Sequence, residues 1–213
     1  MKKRSLIVCS LAVADEALPP GVFARTIAVD AGAEWFRARD IVPNLAIGDF
    51  DSISADTLAW LETVGVVRVQ VSTDKEESDL ELALQECERR DITSALVLGA
   101  LGGRLDHQLA VLGALTKSSI PDLRLTSPDQ TVQLLRTRQE ATVPEPGTVF
   151  SVITPQTATV SIIGARWPLA HVELTSLSAH GLSNESIGSN TRITVHSGAA
   201  FLIINTALNE KNR

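Results

Sequence analysis

The sequence predicts an α/β protein in two parts, a mostly parallel sheet with flanking helices followed by a small all-β sandwich. Three observations carry that expectation. Up to about residue 125, short β-like runs alternate with helical patterns, the order expected of parallel strands joined by crossover helices. Beyond Thr137 only short β-branched runs follow, with no convincing helical period. Pro144, Pro146 and Gly147 then cluster within residues 142–147 as a linker or turn. The expected division is 1–137 and 138–213.

In the first part, strands are expected at 6–9, 26–29, 44–47, 66–71, 94–98 and 123–126, each a brief apolar run. Helices are expected at 33–39, 54–63, 79–90 and 107–117. The third is best supported, because Leu80, Ala83, Leu84 and Cys87 share one face at helical spacing with charges opposite. Alternation of this kind gives a Rossmann-like sheet, which collects ligands at the carboxyl ends of its strands. In the second part, strands are expected at 149–153, 159–163, 192–196 and 200–204, and the polar residues 209–213 read as frayed.

Composition narrows the function. A chain of 213 residues with 44% hydrophobic and 21% charged residues can bury a substantial core. A net charge of −6 argues against a nucleic-acid surface or a polybasic membrane surface. An acidic protein that binds a nucleotide needs a divalent cation to bridge the repulsion. Cys9 and Cys87 lie in apolar segments and read as buried free thiols. Lys2-Lys3-Arg4 and the apolar residues after it imitate a secretory signal, yet the same residues read as a first buried strand. Dependence on a nucleotide triphosphate, a substrate plentiful inside cells, would favour the strand, a retained N-terminus and a cytoplasmic protein. No run is long enough to span a membrane.

Two strings carry most of the chemistry. Gly48-Asp49-Phe50-Asp51-Ser52 follows the third strand and offers two carboxylates two residues apart. Gly102-Gly103-Arg104-Leu105-Asp106-His107 follows the fifth and offers bare backbone, a guanidinium and another carboxylate. Between them, Ser78-Asp79 opens the third helix. Carboxylates, a basic hook and glycines at successive strand ends suit a magnesium–polyphosphate complex, since magnesium takes one or two carboxylates with phosphate oxygens and water. Asp49 and Asp51 are the expected pair, with Asp79 or Asp106 as a further partner. Lys75 could reach a phosphate from its charged run. Plainer readings stand beside these: a turn with Asp51 or Ser52 capping the helix from Ser54, a Ser78–Glu81 capping box, and Asp106 as an N-cap. His171, His180 and His196 lack ligand spacing. No Gly-x-Ser-x-Gly or Gly-Lys-Ser/Thr string occurs, which favours direct transfer between bound substrates.

Taken in order, these strings resemble the thiamine pyrophosphokinase family. Further matches are Val29-Asp30-Ala31-Gly32-Ala33, Pro43-Asn44-Leu45-Ala46-Ile47, Gly164-Ala165-Arg166-Trp167-Pro168-Leu169 and Gly181-Leu182-Ser183-Asn184-Glu185, with a final strand led by Gly198. The resemblance implies transfer of a pyrophosphoryl group from ATP to thiamine, with Mg2+, in a homodimer whose active site lies at the interface. It implies catalytic roles for Asp49, Asp51, Asp79 and Arg104, and a metal role for the three aspartates. It implies a nucleotide site with Asp30, Gly32, Lys75, Gly102, Gly103, Arg104, Asp106 and His107, and a thiamine side with Ser183 and Asn184. Ala31, Glu34 and Glu76 depart from the usual glycine, asparagine and aspartate. Rival readings are a pyrophosphokinase acting on another small alcohol such as a hydroxymethyl-pterin, a catalytically silent thiamine or nucleotide sensor, and a magnesium-dependent phosphohydrolase.

Overall fold

The computed structural model describes residues 3–12, 17–72 and 76–206. They form two units, 1–127 and 128–213. In the first, the strands are β1 (Arg4–Val8), β2 (Arg25–Val29), β3 (Leu45–Gly48), β4 (Val67–Gln70), β5 (Ser94–Leu98) and β6 (Asp122–Thr126). The helices are α1 (Gly32–Arg37), α2 (Ala55–Thr63), α3 (Asp79–Glu88) and α4 (Leu105–Lys117). The strands lie in the order β6-β5-β1-β2-β3-β4, and every pairing among them is parallel. β1 and β5 are buried almost throughout, as strands covered on both faces should be, whereas the edge strand β4 is exposed along its length. The chain order reverses between β1 and β5, so the crevice outside the carboxyl ends of these strands is the favoured place for a ligand.

The helices follow from their capping and apolar spacing. Ser54 caps α2 by accepting the Thr57 N–H, and Ser78 caps α3 in a complete capping box with Glu81. Leu80, Ala83, Leu84 and Cys87 are the buried face of α3. Trp35 and Phe36 of α1 meet edge to face, with ring centroids 5.2 Å apart, and pack with Leu6, Val8, Leu61, Leu96 and Leu98 into one core.

The named elements among the described residues of the second unit are one short 3-10 turn and eight strands: β7 (Gln130–Arg136), β8 (Gln139–Val143), β9 (Val149–Ile153), β10 (Ala158–Ile163), β11 (Leu169–Leu174), β12 (Asn184–Glu185), β13 (Thr191–Ser197) and β14 (Ala199–Asn205). Antiparallel pairings order them as β12-β9-β14-β7 and as β11-β10-β13-β8. Leu135, Phe150, Val152 and Leu202 from the first row share a core with Val143, Val160, Ile162, Ile193 and Val195 from the second. The chain passes from one row to the other at Gly198, where φ is +79° and a Cβ would stand 2.5 Å from the Thr157 carbonyl oxygen.

The break between the units falls at Ser127, ahead of the expected boundary after Thr137. The cause is β7, which pairs along its whole length with β14. The Pro/Gly cluster at 144–147 is accordingly the turn from β8 to β9 inside the second unit.

Candidate active site

The carboxylates of the first unit gather at the carboxyl ends of β2 and β3 and at the start of α3. Asp30 follows β2 with φ +47°, and Gly48 closes β3. A Cβ on Gly48 would lie 1.7 Å from Asp30 Oδ1, so only glycine lets the two strand ends approach this closely. Phe50, next in the loop, is also left-handed at φ +64°, and its N–H donates to the Asp30 carboxylate. The loop then turns on Asp49, whose Oδ1 accepts the Asp51 N–H at 3.0 Å. Ser54, three residues further on, supplies the helix cap and leaves the exposed Asp51 carboxylate outside the capping geometry.

Glu34 braces this loop from α1. Its Oε1 accepts the Ser54 N–H at 2.9 Å and its Oε2 accepts the hydroxyl of fully buried Thr57 at 2.5 Å. Burial alone would raise the Glu34 pKa, but the Thr57 and Ser54 hydrogen bonds together hold it below the usual carboxylate range.

Asp79 is the first residue of α3, directly after the Ser78 cap. Its side chain is hydrogen-bonded to that of Asp30, an arrangement that needs a proton between them. Burial, this hydrogen bond and the Asp79 charge push Asp30 up to about 7. Asp30 Oδ1 is buried and has no hydrogen-bond partner. Asp51 is raised as well, through its hydrogen bond to Asp49 and the charge of that neighbour. Cys9, at the end of β1, lies under the group: burial, then Asp30 and Asp79, push its thiol up to about 12, so it is an inert neighbour. The site thus concentrates negative charge until two of its acids resist ionisation.

The glycine–arginine string forms the turn from β5 to α4. Gly102 and Gly103 have φ of +115° and +65°, and the nearest atom to a Cβ at either would be Leu11 Cδ1, at 3.8 and 3.7 Å. Their backbone is therefore open on the side a ligand would approach. Arg104 occupies the N-cap position of α4 without a side-chain cap. Its guanidinium grips Asp106 through Nε at 3.1 Å and Nη2 at 2.5 Å. That ion pair holds Asp106 down to about 2, and Asp106 also accepts the His107 N–H at 3.0 Å. Arg104 is 72% exposed, within reach of an incoming anion.

The remaining expected positions divide. Gly32 opens α1 beside Asp30. Lys75 lies outside the described residues. In the second unit, Ser183 is exposed at φ +54° and donates its N–H to Ser151 Oγ at 3.1 Å. Asn184 is buried, and its amide clasps Trp167 at both backbone atoms: Oδ1 accepts the N–H at 3.1 Å and Nδ2 donates to the carbonyl at 2.7 Å. Trp167 itself is 54% exposed.

Could the acids hold a divalent cation? Among the described residues no three acidic, imidazole or thiolate groups form a ready-made cage. Oxygen donors with raised pKa values and a buried, unpartnered Asp30 Oδ1 nevertheless fit a hard cation that brings phosphate and water oxygens with it. Sequence reasoning missed the Asp30–Asp79 pairing and the bracing role of Glu34. Asp30 stood in a noted string, but its partner lies on another element and only the folded sheet joins them.

Among the described residues no helix is long and apolar enough to cross a membrane. Residues 23–126 match the family model described as thiamin pyrophosphokinase, catalytic domain, which falls within the first unit. The thiamine pyrophosphokinase of Bacillus subtilis (strain 168) is 25% identical over 185 residues, covering 84% of this chain and 86% of that protein. Thiamine pyrophosphokinase 1 of Oryza sativa subsp. japonica is 30% identical over 156 residues, covering 68% and 58%. The solved structure of the Bacillus subtilis thiamine pyrophosphokinase superimposes with a TM-score of 0.81 over 96% of this chain and 99% of that one. A thiamin pyrophosphokinase family protein from Enterococcus faecalis gives 0.82 at 22% identity, a likeness of fold.

Proposed function

We propose that this chain, whose residues 23–126 match the thiamin pyrophosphokinase catalytic-domain model, is a thiamine pyrophosphokinase that transfers a pyrophosphoryl group from ATP to the hydroxyl of thiamine, releasing AMP. The observation that supports this most directly is the gathering of Asp30, Asp49, Asp51 and Asp79 at successive ends of one parallel sheet, with Arg104 on the next loop. Such a site repels bare ATP and accepts a nucleotide that arrives with a cation. It also attracts the positively charged thiazolium of thiamine.

Asp49 and Asp51, with Asp79 beside them, are the residues to hold Mg2+. Bound there, the ion supplies charge neutralisation across the phosphate oxygens. Gly102 and Gly103 offer backbone to the phosphates, and Asp30, Gly32, Lys75, Asp106 and His107 complete the proposed nucleotide side. Arg104 exchanges Asp106 for a phosphate oxygen and neutralises charge that develops near the β-phosphorus. Asp79 orients the thiamine hydroxyl and takes its proton as the oxygen bonds to the β-phosphorus and the bond to the α-phosphate oxygen breaks. AMP leaves with that oxygen. Ser183 and Asn184 belong to the thiamine side in this reading: Ser183 by its exposed hydroxyl, Asn184 by fixing the exposed Trp167. The first unit is then the nucleotide-binding catalytic part and the second the thiamine-binding part, in a homodimer with the active site at the interface. Dependence on ATP assigns the activity to the cytoplasm.

The test is to incubate the protein with Mg2+, ATP and thiamine and to identify the products. Thiamine diphosphate and AMP in equal amounts are expected. ADP, or free phosphate without loss of thiamine, would sink the reading. Sedimentation at micromolar concentration checks the dimer.

A further inference from the structure

A cavity of about 420 Å³ opens at the opposite ends of β1, β5 and β6 from the acid cluster. Arg4, Ser94 and Asp122, the first residues of the three strands, are register partners across them. Leu96 and Arg124 stand two residues further along, so these side chains rise from one face of the sheet, with Val22 also lining the space. Five residues of β1 separate this end from the other, about 15 Å of strand.

Two guanidinium groups line the cavity and both are held in place. Arg4 Nη1 donates to the Pro20 carbonyl at 3.0 Å, and its guanidinium lies 5.0 Å from the centroid of the Phe23 ring. A carbonyl and a ring fix it without neutralising its charge. Arg124 Nε donates to Asp122 Oδ1 at 3.0 Å, while Asp122 Oδ2 accepts the Ser94 hydroxyl, also at 3.0 Å. Among the described residues that line the cavity, one carboxylate therefore faces two guanidinium groups, a local excess of positive charge in a protein whose net charge is −6. Guanidinium groups already fixed in position lose little freedom on gripping a planar or tetrahedral oxyanion.

We propose that this cavity is a second binding site, separate from the acid cluster, for a small metabolite that presents a phosphate or carboxylate group to Arg4 and Arg124. The test titrates the full chain with inorganic phosphate in magnesium-free buffer containing EDTA, by calorimetry. Arg124→Gln should weaken binding about tenfold or more, as expected for a lost charge-assisted contact, while Arg192→Gln, an exposed arginine of β13 in the second unit, leaves it unchanged. Arg124→Lys, which keeps the charge, should retain most of the affinity, and circular dichroism checks that each variant is folded. Citrate titrated against the same variants separates the sources: the probe that binds more tightly with the same dependence on Arg124 identifies a phosphate-bearing or a carboxylate-bearing ligand. Equal affinity in wild type and Arg124→Gln, binding lost only in Arg192→Gln, or no binding of either probe up to about 10 mM would overturn the proposal.

Discussion

Asp30 is the residue whose behaviour depends most on the rest of the fold. Its pKa rises from 3.8 to about 7 because burial and Asp79 disfavour its charge. A carboxyl raised on folding favours the folded state below its unfolded pKa and loses that contribution as pH climbs through the folded one. Metal-free protein should therefore lose stability between about pH 4 and pH 8, by a few kcal/mol at most. Asp30→Asn, which keeps a donor toward Asp79 without a charge, should flatten the decline; thermal unfolding across that range measures it. At Gly48, alanine would drive a Cβ into the Asp30 carboxylate. We expect Gly48→Ala to lower the melting temperature by more than about 5 °C. Asp51→Asn should leave the melting temperature within about 2 °C, since that side chain is exposed, while cutting turnover at least a hundredfold. Much of this was legible as a string of residue types: an acid pair after a strand and an acid behind a serine cap. The proton between Asp30 and Asp79 was not, because no spacing in the chain encodes a contact between a strand end and a helix start so far along it.

Local chemistry made the helices readable. Ser54 and Ser78 cap the helices they introduce, and the Ser78–Glu81 box is complete. Glu81 also accepts from Lys117 of α4 at 2.6 Å, so the box ties two helices together. Ser78→Ala should cost about 1 kcal/mol in chemical denaturation, with little change in the affinity for thiamine. The strands of the first unit were found to within a residue or two because each is an apolar run. In the second unit β7, β8, β11 and β12 are not legible from the sequence pattern. Gln139–Val143 carries a glutamine, a glutamate and a threonine among its five residues, and Leu169–Leu174 is interrupted by His171 at φ +54°. An edge strand that buries every other residue needs few apolar side chains, and its hydrogen bonds are supplied by a partner that the local sequence does not show.

Across the whole molecule, stability should be distributed as burial is. Amides of β1 and β5, buried almost throughout, should exchange with solvent most slowly, and those of β4, exposed at an edge, much faster; mass spectrometry of deuterated peptides reads the contrast. The two-part character of the chain was visible in the change of pattern, whereas the boundary was not, since β7 is claimed by a partner nearly seventy residues away. That distance has a consequence at the corner formed by Gly198. The strands on either side of it, β13 and β14, each sit between two neighbours: β10 and β8 flank one, β9 and β7 the other. During synthesis, all four neighbours leave the ribosome before the two strands that join them. Until β13 has emerged, the nascent second unit carries four strand edges that await a partner, two of them until β14 follows, and a chain halted before residue 190 keeps all four. Such a fragment is a natural client for a chaperone, because translation of β13 and β14, rather than collapse of the earlier strands, supplies the missing partners.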